Sequence, residues 1–140
     1  YSLVLSQSTC QTITWGACGT ILSYDTLDHS RGFSVSLPAT SVTIPKTGLW
    51  MVNAKSHWGD AGASPRASYL QLLKCCVACA DFKFHGRNSC CIILDPGFEF
   101  TTTVTYTAGE VLKIKGYRDG AGNGPWNAHR LSLVLLGDAC

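Results

Sequence analysis

Cysteine is the residue type with the most chemistry to offer in this chain. Eight are present: Cys10, Cys18, Cys75, Cys76, Cys79, Cys90, Cys91 and Cys140. An even number in a short, strand-rich sequence reads as a disulfide framework formed in, or exported to, an oxidising compartment. Eight cysteines allow about a hundred connectivities, so the pairing stays open. Cys10 and Cys18 flank the turn-like Trp15-Gly16 and are placed to pair across a hairpin. Adjacent Cys75 and Cys76 would strain the peptide between them if they bonded to each other. They are expected to reach different partners, most simply Cys90, Cys91 and one elsewhere. Cys140 can close within the subunit or bridge to a neighbour. Metal is the competing use of the same sulfurs: Cys76-x-x-Cys79, with Cys90, Cys91 and His85, offers soft ligands for tetrahedral zinc. A regular zinc ribbon needs a second, separated C-x-x-C knuckle, which is missing, so disulfides are preferred to Zn²⁺.

The remaining polar residues give little support to catalysis. Ser56, His57 and Asp60 lie close in sequence, but no G-x-S-x-G elbow presents a nucleophile. His57 is read as a rim or interface residue, His29 and His129 as solvated surface, and no catalytic residue is assigned. Asp25, Asp28, Asp60, Asp119 and Asn123 fall in loop-like places whose oxygens suit Ca²⁺, though no D-x-D-x-D-G cluster gathers them. No cofactor is therefore assigned. Asn123, Trp126 and Asn127, in GAGNGPWNAH, form a candidate ligand loop on which an exposed indole with neighbouring amides would stack a sugar. The plainer alternative is that Trp126 packs beneath its own loop or against a neighbour.

The elements that must position these residues are strands. Period-two alternation is clearest in Leu49–Trp58, where Trp50, Val52, Ala54, Ser56 and Trp58 share one face and Met51, Asn53, Lys55 and His57 the other. Further strand-like runs are Ser2–Ser6, Thr12–Trp15, Thr20–Tyr24, Phe33–Leu37, Ser41–Ile44, Ala67–Lys74, Phe98–Tyr106, Glu110–Arg118 and His129–Leu136. Turn signals stand between them, among them Asp28–Gly32, Pro45–Gly48 and Ala108-Gly109, the last predicting a hairpin. No segment carries a capped 3.6-residue apolar period, so helix is expected to be nearly absent. In the final run Leu131, Leu133 and Leu135 face one way and Val134 and Leu136 the other, which predicts burial on both faces.

Size and charge set the remaining bounds. The 140 residues suit a single domain, 1–140, with a sizeable core. Charged residues are 14% of the chain, well below the roughly 25% of an average soluble protein. Identical subunits are the simplest cover for the surface so implied. A net charge of +2, with no Lys/Arg run, argues against nucleic acid as a partner. No apolar run reaches the roughly 18 residues of a membrane span, so membrane insertion is not expected. A start at Tyr1 rather than Met leaves a leader or an upstream region open.

One ordered set of motifs carries a family resemblance. TIPKTGLWMVNAKSHW (with Pro45, Gly48 and Trp50), then TAGEVLKIKGYRDGAGN (with Ala108-Gly109-Glu110, Leu112, Ile114 and Tyr117), then LSLVLLG before Gly137 resembles the complement C1q/tumour-necrosis-factor-like jelly roll. ILSYDTLDHSRGF looks like the family's upstream segment, and the likeness spans about residues 10–137. The phrasing is closer to short bacterial and phage surface domains than to collagen-linked animal members; no Gly-x-y stretch is present. The Cys-rich insertion at about residues 75–91 departs from the pattern. The resemblance implies an all-β, ten-stranded antiparallel jelly-roll sandwich that assembles as a homotrimer and binds rather than catalyses. Met51, Lys55, His57, Tyr117, Val134 and Leu136 are then the candidate trimer interface. The function expected is a disulfide-strengthened module on a virion surface, such as a phage capsid decoration protein or fibre tip. The alternative is an extracellular, secreted recognition domain that binds a receptor or a carbohydrate.

Overall fold

A computed structural model resolves the alternation into strands, and describes residues 1–13, 19–58, 67–74, 82–87, 97–118 and 124–138. Among these residues the strands are β1 (Ser2–Ser6), β2 (Gln11–Ile13), β3 (Thr20–Ile21), β4 (Thr26–Arg31), β5 (Val42–Thr43) and β6 (Gly48–Trp58). They continue with β7 (Ala67–Lys74), β8 (Phe82–Arg87), β9 (Gly97–Tyr106), β10 (Val111–Arg118) and β11 (Gly124–Gly137). The first sheet runs β4-β1-β11-β6-β9, with β2 also on β11; the second runs β3-β10-β7-β8, with β5 also on β10. Every pairing is antiparallel. Two such sheets, face to face, form the expected jelly-roll sandwich.

The core is the product of side-chain alternation on facing strands. The register pairs Trp50 with Leu135, Val52 with Leu133 and Ala54 with Leu131, so these three levels of the inward face of β6 and β11 are apolar. Leu3, Leu5, Phe100 and Val104 extend that face; Leu22, Leu70, Leu72, Leu112 and Ile114 meet it from the second sheet. Each fully buried Leu, Ile or Val contributes about 1.5–3 kcal/mol relative to exposure. Phe33 stacks edge-on against Trp50 with centroids 5.5 Å apart. Gly116 of β10 faces Trp126 of β11: a Cβ there would stand 2.6 Å from the indole, so only glycine lets the two sheets meet at that point.

Several expectations change against this frame. Among the described residues two of the eleven strands named above were unforeseen. β4 is an exposed sheet edge whose polar residues (Asp28, His29, Ser30) read as a turn, and β8 lies inside the Cys-rich insertion. Phe33–Leu37 is not a strand; Phe33 and Val35 instead pack on the core from an irregular segment that carries the cis Leu37-Pro38 bond. The predicted hairpin at Ala108-Gly109 is a corner between sheets: β9 pairs with β6, while β10 pairs with β3, β5 and β7. Gly109 has φ 91°, Glu110 N–H donates to the Thr107 carbonyl at 3.0 Å, and Gly109 N–H donates to the Ile44 carbonyl at 2.9 Å. Lys74 Nζ ties this corner across the sandwich, donating to the Thr105 carbonyl at 2.7 Å and lying 3.5 Å from Glu110.

Candidate functional site

The outer face of the first sheet gathers most of the expected interface. Between β11 and β9, Met51 sits opposite Val134 and Thr103, Asn53 opposite Ser132 and Thr101, and Lys55 opposite Arg130 and Glu99. Asn53 Nδ2 donates to Thr101 Oγ1 at 2.8 Å and to the Phe100 carbonyl at 3.2 Å, which ties β6 to β9. Met51, Lys55, His57 and Val134 thus share one half-buried surface. Beside Met51 and Val134 the register shift between Leu135 and Gly137 turns Leu136 outward, 51% exposed, and Leu49 lies opposite Gly137, 40% exposed. Four apolar side chains therefore adjoin at one end of a largely uncharged sheet face. Tyr117 does not join them. It lies on β10 in the second sheet, is buried, and its hydroxyl donates to Gln71 Oε1.

Trp126 is not a ligand platform. It is fully buried in β11, level with Trp58 and Gln11, so no face of the indole is open to a sugar. Asn127 is half-buried opposite His57, and Asn123 lies outside the described residues. Among the described residues Cys10 carries an exposed, free thiol; Cys18, its expected hairpin partner, lies outside them. Cys18, Cys75, Cys76, Cys79, Cys90, Cys91 and Cys140 lie outside the described residues, as do Asp60 and Asp119 among the calcium candidates; His85 falls in β8. Asp25 is already engaged, accepting from Ser8 N–H at 2.9 Å, Ser8 Oγ at 2.7 Å and Thr26 Oγ1 at 2.8 Å. These bonds to its charged form hold its carboxyl below the usual range. Among the described residues no group of three or more His, Cys, Asp or Glu is placed to hold a metal ion.

The structure adds a buried polar pair that sequence reasoning missed. His129, expected at the surface, is fully buried, and its Nδ1 lies 2.7 Å from Ser56 Oγ on the inward face of β6. A bulge makes this possible. Between Asn127 and Arg130, β11 carries one residue more than β6, and Ala128 takes a left-handed φ of 52°. The extra residue resets the alternation, so Trp126 and His129, three apart, both face inward. The Tyr24 ring meets the imidazole edge-on at 6.5 Å, and neither the Tyr24 hydroxyl nor His129 Nε2 has a hydrogen-bond partner among the described residues. Counting back from Leu131 and Leu133 by twos would have turned His129 inward. Chemically this is a serine–imidazole contact with no route to a substrate: both side chains are 0% exposed. Burial alone pushes the imidazole down to about 4 from its ordinary 6.5.

With the geometry in view, the comparisons define the fold class as a C1q/TNF-like jelly roll. The globular domain of zebrafish complement 1qA superposes with TM-score 0.69 at 9% identity, covering 99% of this chain and 98% of its own. Eiger TNF from S. frugiperda gives 0.62 at 14% identity, covering 99% and 94%. Murine APRIL gives 0.56 at 12% identity, covering 96% and 98%. No family model and no curated protein matches the sequence.

His129 makes stability depend on pH in a defined window. Its folded value lies below its unfolded one, so the unfolded chain takes up the proton first. Stability is full above about pH 6.5 and falls towards pH 4. The loss at pH 5 is about 2 kcal/mol. Urea unfolding at pH 7.5 and pH 5 measures it: His129→Leu is expected to flatten the difference, and an unchanged difference would contradict this placement of the imidazole.

Proposed function

We propose that this chain is a non-enzymatic binding module that associates as a homotrimer through the outer face of the first sheet. The observation that carries the reading is the apolar end of that face, Leu49, Met51, Val134 and Leu136. It lies within a fold whose resemblance implies three-fold assembly. A lone subunit would leave these side chains in water, and a symmetric contact removes them from it. In this reading the trimer decorates a larger particle, as a capsid cement or fibre tip. Low overall charge and the surface-domain phrasing of TIPKTGLWMVNAKSHW support that placement. The second reading, a secreted recognition domain, is favoured by the likeness to a complement globular domain and to TNF. Recovery of the chain with purified particles supports the first; recovery from secreted fluid supports the second.

Disulfides belong to the same proposal. The cysteines other than Cys10 are read as the framework that strengthens the subunit. Cys140 is expected to close within the subunit or to bridge to a neighbour.

Two measurements check this. Val134→Glu, which places a charge in the apolar end, is expected to shift the chain from trimer to monomer in light scattering while it stays folded by circular dichroism. A Val134→Glu protein that remains trimeric would remove this face from the interface. Alkylation without reductant, followed by mass spectrometry, is expected to label Cys10, and gels without reductant show whether Cys140 closes within the subunit or bridges to a neighbour. Eight labelled thiols would overturn the disulfide framework.

A further inference from the structure

At the end of the first sheet away from its apolar side chains, the outer face carries a row of charge. Arg130 of β11 stands opposite Lys55 of β6, and Lys55 opposite Glu99 of β9, so the three share one cross-strand row. Alternation turns them outward, because His129, Leu131, Ala54, Ser56 and Phe100 beside them are buried. The row lies about 13 Å along β6 from Met51. Side chains directly opposed across antiparallel strands have β-carbons about 5 Å apart, and like charges so placed repel. Lys55 and Arg130 are such a pair, and among the described residues neither has a carboxylate within ion-pair distance. Glu99 is exposed on the last strand of the sheet, and its Oε2 accepts a long bond of 3.5 Å from Asn53 Nδ2. The other described acids, Asp28 apart, are engaged. Ser8 and Thr26 bind Asp25, Lys74 and the Thr107 N–H hold Glu110, and Lys46 lies 2.7 Å from Asp138.

We propose that Glu99 of each subunit pairs with Arg130 and Lys55 of the next, so that three identical ion contacts close the ring. The inference rests on the trimer reading and names the charge complementarity that sets its geometry. Two adjacent cations cannot face their own copy without repulsion. An isologous contact, which sets one patch against itself, is therefore disfavoured here; a three-fold ring is heterologous and brings two different patches together. The patch that meets the cations must carry an acid. Copies that gather their apolar ends (Leu49, Met51, Val134 and Leu136) in one place keep each row level with the same row of the neighbour. The acid is then the one on the cation row itself, and Glu99 stands at the sheet edge, where a side chain reaches the adjoining subunit. Asp28 lies on β4 at the opposite edge, between the Val4 and Leu5 levels, off the Ser6–Arg130–Lys55 row. Arg130 supplies the planar fork that a carboxylate accepts bidentately, and Lys55 adds a second charge beside it. Like charges that strain a lone subunit thus become a reason to assemble in one orientation.

Sedimentation of the intact protein across a dilution series, at low and at high salt, tests this. Glu99→Lys is expected to raise the concentration at which the trimer dissociates about tenfold at low salt. Salt at about 1 M is expected to narrow that difference, because it screens the charges. Glu99→Lys combined with Arg130→Glu in one chain is expected to recover most of the loss, since every contact then carries the reversed pair. Asp28→Lys is expected to assemble as the parent does. Carbodiimide coupling of the unsubstituted protein is a second readout that requires no variant to fold. In trimers assembled from a mixture of isotopically light and heavy chains, Glu99 is expected to be joined to Lys55 in peptides that combine both labels. Joined peptides of a single label would place the pair inside one subunit and overturn the proposal. So would a trimer that Asp28→Lys disrupts while Glu99→Lys leaves it intact. A monomeric parent would end the trimer reading and this contact together; a trimeric parent indifferent to Glu99→Lys would end this contact alone.

Discussion

The pairing of β6 with β11 is the constraint on which the rest of this structure depends. Both are long central strands, and their register is held by apolar pairs on one face: Trp50 with Leu135, Val52 with Leu133, Ala54 with Leu131. Because side chains alternate strictly, a slip of one residue would turn that whole set to the outside. The cost would be several fully buried side chains at about 1.5–3 kcal/mol each, more than a domain's usual margin of stability can absorb. The same alternation decides what is left outside. Met51, Lys55, His57 and Val134 form an outer surface because Trp50, Val52, Ala54 and Ser56 are committed to the core.

One local departure from that register accounts for the oddest chemistry in the molecule. The bulge at Ala128 inserts a residue in a left-handed conformation, which costs about 1–2 kcal/mol for a residue with a Cβ. In return Trp126 fills the space over Gly116, and His129 reaches Ser56. A serine beside an imidazole invites a catalytic interpretation, but here the pair is sealed among Tyr24 and the core leucines. Its effect is on folding, through the proton the imidazole cannot accept without unfavourable burial of charge. The outer face of the first sheet, with its apolar end at Leu49 and Leu136, is where a partner can be met.

How much of this was legible in the sequence depended on whether a strand had one buried face. Leu49–Trp58 and Ala67–Lys74 match β6 and β7 nearly to the residue; in β6 the alternation is the signature of a half-buried strand. β4 was hidden because an exposed edge strand buries nothing and reads as polar turn. Phe33–Leu37 misled in the opposite sense: Phe33 and Val35 alternate and pack on the core, yet without a partner strand. Ala108-Gly109 marked a reversal correctly, but turn chemistry is the same whether the chain returns beside itself or passes to the other sheet. Trp126 escapes the counting rule because a bulge shifts it by one residue, whereas His129 obeys the rule counted back from Leu131 and its polarity alone suggests surface.

The proposed cover for the first sheet's outer face is a pair of identical subunits, and native mass measurement of the unmodified chain at micromolar concentration decides it. A single species of three times the 15.0 kDa chain is expected. A stable monomer with its urea transition intact would contradict the trimer.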